Sequence, residues 1–164
     1  MQRQRQRQHK LKHLKPYLFF ILLSLAVGGV SGVITAVGMP YYETVNKPPF
    51  TPPSILFPIV WSVLYILMGI GAARVWKSDA PGRAMALTAY GVQLAINFLW
   101  TFWFFGVHLY FVAFLWLLLL LAAVAWMALL FYRIDKPAGL LQIPYLLWCV
   151  FAAILNFSVW LLNR

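Results

Sequence analysis

Residues 110–132 read YFVAFLWLLLLLAAVAWMALLFY, a run with no charged residue, no amide and no hydroxyl beyond its two tyrosines. A helix on the surface of a soluble protein keeps a polar face, and this run has none. It exceeds the roughly 20 apolar residues needed to cross a hydrocarbon core about 30 Å thick. Four further apolar segments of similar length accompany it, at 16–37, 54–76, 82–105 and 140–162. In lipid the backbone of such a segment must satisfy its own hydrogen bonds, and at this length only a helix does so. The expected fold is therefore an all-α integral membrane protein, a bundle of five transmembrane helices.

Composition agrees. The 164 residues are 63% hydrophobic and 10% charged, whereas soluble domains carry about 25% charged residues. The length suits one domain. Gly38-Met39-Pro40, Asp79-Ala80-Pro81-Gly82 and Asp135-Lys136-Pro137 punctuate the apolar runs, and each is expected to end a helix. The longest connection, 38–53, holds five prolines; its length predicts a functional or packed lid rather than a bare tether. The N-terminal head resembles a signal peptide, but the apolar stretch continues through Ala36 with its small residues inside, so no cleavage is expected.

Charge orients the chain. Only Glu43, Asp79 and Asp135 oppose 13 lysines and arginines, a net charge of +10. Because the cations cluster between apolar runs, the expected partner is an anionic lipid surface and not nucleic acid. The tail 1–15, with Arg3, Arg5, Arg7, Lys10, Lys12 and Lys15, lacks apolar periodicity and reads as disordered away from a membrane. Together with Arg74, Lys77, Arg83, Arg133 and Lys136 the tail puts eleven cations on one side, against Lys47 and Arg164 on the other. The positive-inside rule then places the N-terminus in the cytoplasm and the proline-rich loop and C-terminus outside. The expected location is a bacterial cytoplasmic membrane.

Ionisable groups deep in a bilayer mark ion paths and proton relays. Here every Asp, Glu, Lys and Arg falls in a loop or near a segment end, which disfavours a proton-coupled pump or a hydrolase. No metal-ligand set is visible: His9 and His13 belong to the tail, His108 to a tight loop, and Cys149 to an apolar run as a packing residue. The interior is instead amide and aromatic, with Gln93, Asn97, Asn156, Tyr65, Tyr90, Tyr145 and the deeper tryptophans 61, 100, 116, 126 and 148. Such a set suits a flat polycyclic ligand, since indole faces stack and an indole N–H orients. Ser24, Gly28, Gly32 and Ala36 form one small stripe, and Gly91 with Ala95 a second. Small stripes allow close helix approach in lipid, within one bundle or between copies.

The stretch KPPFTPPSILFPIVWSVLYILMGIGAARVWK, from Lys47 to Lys77, resembles the signature of the TspO/MBR family of tryptophan-rich sensory and translocator proteins. Gln93-Leu94-Ala95, Asn97, Trp100 and Phe104-Phe105-Gly106 extend the likeness, as do Pro144-Tyr145, Trp148, Phe151-Ala152 and Leu155-Asn156. The resemblance implies a five-helix bundle, often a homodimer, with a pocket beneath the first long loop that binds tetrapyrroles, porphyrin and haem among them. It implies no required cofactor. The implied ligand-binding residues are Tyr42, Phe57, Trp61, Asn97, Trp100, Trp148, Ala152 and Leu155. Trp61 and Trp148 match tryptophans implicated in porphyrin handling, and would be catalytic if porphyrin is degraded. The implied role is a receptor or regulator without robust turnover; light- and oxygen-dependent porphyrin breakdown and transport of porphyrin are the alternatives. Lys47 is the outer-loop cation expected to meet a porphyrin carboxylate. Family members often have Trp where this chain has Tyr41 and Phe50, Val112 replaces an aromatic seen in animal members, and helix 5 lacks the central Tyr of the sterol-contact pattern.

Overall fold

The computed structural model describes the backbone of residues 2–164 and the side chains of 13–164. It contains α1 (Gln2–Thr44), α2 (Leu56–Lys77), α3 (Arg83–Thr101) continued by a π turn (Phe102–Gly106), α4 (Tyr110–Ile134), a short α5 (Lys136–Leu140) and α6 (Ile143–Leu162). Five helical spans are long and apolar enough to cross a membrane, of 32, 22, 24, 25 and 27 residues. The protein is an all-α integral membrane bundle.

Four spans start and stop within a few residues of the expected positions. The first does not. Gly38-Met39-Pro40 fails to end α1, which runs on to Thr44 with Pro40 inside it. One proline removes one backbone donor, and the lost bond is offset by packing: Gly38 lies so close to the Phe105 carbonyl that an added Cβ would overlap it. At the other end α1 continues back to Gln2, so the tail backbone is helical where a disordered run is expected. Its Gln, Arg, Lys and Leu residues are good helix formers. The expected meeting of its cations with anionic lipid concerns side chains outside the described residues, apart from His13 and Lys15.

Along the chain α1 packs on α2, α3 on α4, and α4 on α6. Leu117, Leu120, Val124, Met127 and Phe131 of α4 are buried, while Leu115, Leu118, Leu119 and Leu129 are exposed. On a soluble protein such exposed leucines would form an adhesive patch; around this bundle they are the lipid face.

The small stripe of α1 divides. Ser24 shares a 2.6 Å hydrogen bond with the Tyr90 hydroxyl, and Gly28 lies under the Tyr65 ring, which a Cβ would meet at 2.5 Å. Gly32 and Ala36, further along α1, are exposed, and a Cβ at Gly32 would meet nothing within 4 Å.

Polar contacts in the core run from helix to helix. Tyr65 donates to Asn97 Oδ1 at 2.7 Å, Asn97 Nδ2 donates to the Tyr145 oxygen at 2.7 Å, and Tyr145 donates to Gln93 Oε1 at 2.8 Å. Two amides and two phenols thus join α2, α3 and α6 at depths where an unpaired polar group costs about 1–3 kcal/mol.

At the end bearing Arg74, the guanidinium grips Asp135 side-on, Nε to Oδ1 at 2.9 Å and Nη2 to Oδ2 at 3.0 Å. Asp135 Oδ1 also accepts from Ala138 N at 2.9 Å, capping α5. The Arg74 hydrogen bonds, with help from the cap, hold the Asp135 carboxyl below its ordinary range. A depressed carboxylate stabilises the fold above its unfolded pKa, and that contribution disappears as pH falls through the folded value. Asp135→Ala is expected to cost about 1–2 kcal/mol at neutral pH, roughly 1 from the cap and up to about 1 from this partly exposed pair. The difference should shrink below about pH 4. Unfolding in micelles followed by circular dichroism checks it; a pH-independent difference would show that charge plays no part.

Candidate functional site

Two spaces lie toward the end of the bundle that carries the α1–α2 loop and share one wall. The first is a narrow pocket lined by Tyr42, Phe57, Trp61, Trp100, Phe104, Phe105, Trp148, Ala152, Leu155 and Asn156. Seven of the eight expected ligand-binding residues meet there. Their rings interlock: Phe57 stands edge-on to Trp148 at 6.0 Å, Trp61 tilts against Trp100 at 5.9 Å, and Tyr42 lies 5.5 Å from Phe104. Its volume is about 20 Å³, room for about one water. The eighth residue, Asn97, belongs to the hydrogen-bonded core below and is not in the lining.

Each wall is fixed from beneath. Trp100 Nε1 donates to Asn156 Oδ1 at 3.3 Å, and Asn156 Nδ2 donates to the Tyr110 carbonyl at 2.8 Å. Trp61 is held between Tyr65 at 5.8 Å and Tyr145 at 6.0 Å. Trp148 stacks on Phe151 at 5.3 Å, and Phe151 meets Phe50 of the loop at 6.5 Å. The Tyr42 hydroxyl is buried without a hydrogen-bond partner, a polar handle inside an aromatic shell.

The loop between α1 and α2 lies across this end as a strap. Asn46 N donates to Asn163 Oδ1 at 2.9 Å, and Asn163 Nδ2 donates to the Asn46 carbonyl at 2.8 Å. This pair clasps the loop to the end of α6. The expectation of a packed lid holds, and Lys47 is engaged with the backbone at this end of α1. Its ammonium donates to the carbonyls of Tyr42, Glu43 and Val45 at 2.9, 2.9 and 3.1 Å. Lys47 caps the C-terminal end of α1, where a cation complements the helix dipole, and those contacts occupy its donors.

The second space is larger and was not foreseen from the sequence. Above the Gly28–Tyr65 contact, α1 and α2 diverge around a cavity of about 580 Å³, within the range of small-molecule sites. Gly28, Ser31, Gly32, Thr35 and Met39 line it from α1, Trp61 and Tyr65 from α2, and Trp100 and Thr101 from α3. Phe57, Trp61, Trp100 and Phe105 border both spaces and form the partition between them. The sequence signal was Ser31 and Thr35 interrupting an apolar run beside Gly28 and Gly32.

His108 lies apart from both linings. It adopts a left-handed backbone at φ 57° and stacks on Tyr41 at 4.0 Å. Cys149 is buried in the core, as a packing residue.

Five apolar spans around an aromatic interior, with a strap across one end, define a small polytopic membrane bundle with internal cavities. The family model for the TspO/MBR family matches residues 20–161, and the chain belongs to that family. Protein CrtK of Rhodobacter capsulatus is 41% identical over 143 residues, covering 86% of this chain and 89% of that protein. Tryptophan-rich protein TspO of Chlorobaculum tepidum is 38% identical over 151 residues, covering 86% and 91%. The translocator protein of Ovis aries is 35% identical over 142 residues, covering 84% of each.

Proposed function

We infer that the protein is a membrane receptor or regulator that binds a tetrapyrrole, porphyrin or haem, in the strapped aromatic pocket. The observation that supports this most is the convergence of Tyr42, Phe57, Trp61, Trp100, Trp148, Ala152 and Leu155 beneath the proline-rich strap. Flat rings on several helices suit a flat macrocycle, and Tyr42 offers it one hydroxyl. The closed volume requires the strap and partition to yield when ligand enters, a gating step familiar from loop-covered sites. The test is titration of the purified protein with protoporphyrin IX, read by tryptophan quenching in darkness and then in light. Saturable quenching in darkness supports the reading, and its absence overturns it. Product formed only in light would identify photo-oxidative breakdown, and flux into sealed vesicles would identify transport.

The same reading places the N-terminus in the cytoplasm of a bacterium, its basic tail against anionic lipid, and the strap outside. A cysteine at Ser54 is expected to react with an impermeant thiol reagent from outside, and one at Ser78 is not; reversed labelling overturns the orientation. It also places a second copy against Gly91 and Ala95, both exposed. A Cβ at Gly91 would meet nothing within 4 Å, so Gly91→Leu spares the protomer and is expected to weaken crosslinked dimer. Unchanged crosslinking would refute this interface.

A further inference from the structure

Three parts of the wall around the strapped pocket are held to different degrees. The strap is clasped to α6 by the paired Asn46–Asn163 hydrogen bonds. In the partition, Trp61 is wedged between Tyr65 and Tyr145, and Trp100 is tied to Asn156. Trp148 is the third part. It is half-buried and makes no side-chain hydrogen bond among the described residues. Rings alone steady it, Phe57 edge-on at 6.0 Å and Phe151 of its own helix at 5.3 Å.

The far side of Trp148 faces the membrane. α2 packs closely on α1, α3 and α5 but not on α6. The seam between α2 and α6 carries a groove of about 450 Å³, lined by Val60, Val63 and Leu64 of α2 and by Leu147 and Trp148 of α6 among others. Val63 and Leu147 are 50% and 66% exposed, so the groove opens on lipid. Toward the Arg74 end the seam is closed by the Gln142 Nε2 bond to the Leu67 carbonyl at 3.3 Å. Toward the strap it is closed by the Phe57–Trp148 ring contact. Trp148 is the one residue that lines both groove and pocket, so a single ring divides the pocket from the bilayer.

We infer that Trp148 is the leaf of a lateral gate, through which the tetrapyrrole enters from the bilayer between α2 and α6. This route rests on the tetrapyrrole reading above. A flat, largely apolar macrocycle concentrates in hydrocarbon, and no charged or polar side chain lines the groove to detain it. The indole swings into the groove by giving up ring contacts only. Opening the strap instead breaks both Asn46–Asn163 hydrogen bonds and the Phe50–Phe151 contact. Strap and partition yield to make room once the ligand is inside; Trp148 opens the way in.

The experiment follows protoporphyrin IX binding to the full chain in phosphatidylcholine nanodiscs by stopped-flow porphyrin fluorescence in darkness. Val63→Trp and Leu147→Trp, both outside the pocket lining, plug the groove from either helix, and circular dichroism checks their fold. Each is expected to slow association and dissociation by the same factor, about tenfold, as overpacking raises the barrier. Equilibrium affinity should stay unchanged. Trp148→Phe, a smaller leaf, should associate severalfold faster. Unchanged rates in both plugged variants would overturn the gate and leave tetrapyrrole binding standing; faster exchange in Asn163→Ala would then put the entrance under the strap. Weakened affinity in the plugged variants would make the groove part of the binding site and overturn its role as a route. Absence of saturable binding in wild type would overturn the tetrapyrrole reading, and the gate with it.

Discussion

Alanine at both Trp61 and Trp148 is expected to abolish measurable tetrapyrrole binding, whereas Lys47→Ala should change affinity only modestly. The two indoles come from α2 and α6, and each stands in a ring network that holds its plane. Truncating a tryptophan that anchors an interface costs about 2 kcal/mol or more, roughly thirtyfold in affinity for each residue. Lys47 has given its ammonium to the end of α1, so its removal frays a helix end before it affects a ligand. Trp148→Phe should retain much of the affinity, because an aromatic face remains. If light drives breakdown, that same variant should bind yet lose turnover, since the indole itself would be needed. Protoporphyrin titrations of folded variants, checked by circular dichroism, decide the matter; equal affinity in wild type and the double variant would remove the ligand from this pocket.

A large effect on stability is expected at Gly69. A Cβ there would lie 2.5 Å from Ile21 Cα, 2.7 Å from its nitrogen and 2.8 Å from the Phe20 carbonyl oxygen. All three are backbone atoms of α1 and cannot rotate away, so α1 and α2 must separate. Overpacking of this kind costs about 1–3 kcal/mol, and Gly69→Ala should fall toward the upper end. Gly32→Ala is the paired control on the facing helix, where the added methyl meets nothing. It should be neutral or gain up to about 1 kcal/mol in helix propensity. Equal unfolding midpoints for the two variants would mean that the close contact contributes nothing.

The contrast between these glycines shows where sequence reading ends. The five spans were legible because crossing a bilayer demands long uncharged runs, and the aromatic pocket because its family motifs fix residues in order. The stripe from Ser24 to Ala36 looked like one surface. In three dimensions Ser24 and Gly28 touch Tyr90 and Tyr65, whereas Gly32 and Ala36 face a cavity, because α1 and α2 diverge between them. A four-residue repeat states which side chains share a face and not how far the facing helix stands away. Pro40 misled for a related reason: a proline marks a helix end only when tertiary packing does not carry the helix past it, and Gly38 against Phe105 does so here. Lys47 was legible as the one cation of the α1–α2 loop, but not as a cap, since its acceptors appear only once α1 extends to Thr44.

The clasp between Asn46 and Asn163 makes the carboxyl end of the chain a mechanical part of the strap. Asn163 is followed by Arg164, whose guanidinium lies over the Trp160 ring at 5.7 Å. A reporter fused at this terminus would therefore pull on the hinge pin of the cover it was meant to observe, and ligand exchange measured with such a fusion would register the tether as well as the protein. An amino-terminal fusion, at the far end of the 43-residue α1, leaves that pin untouched.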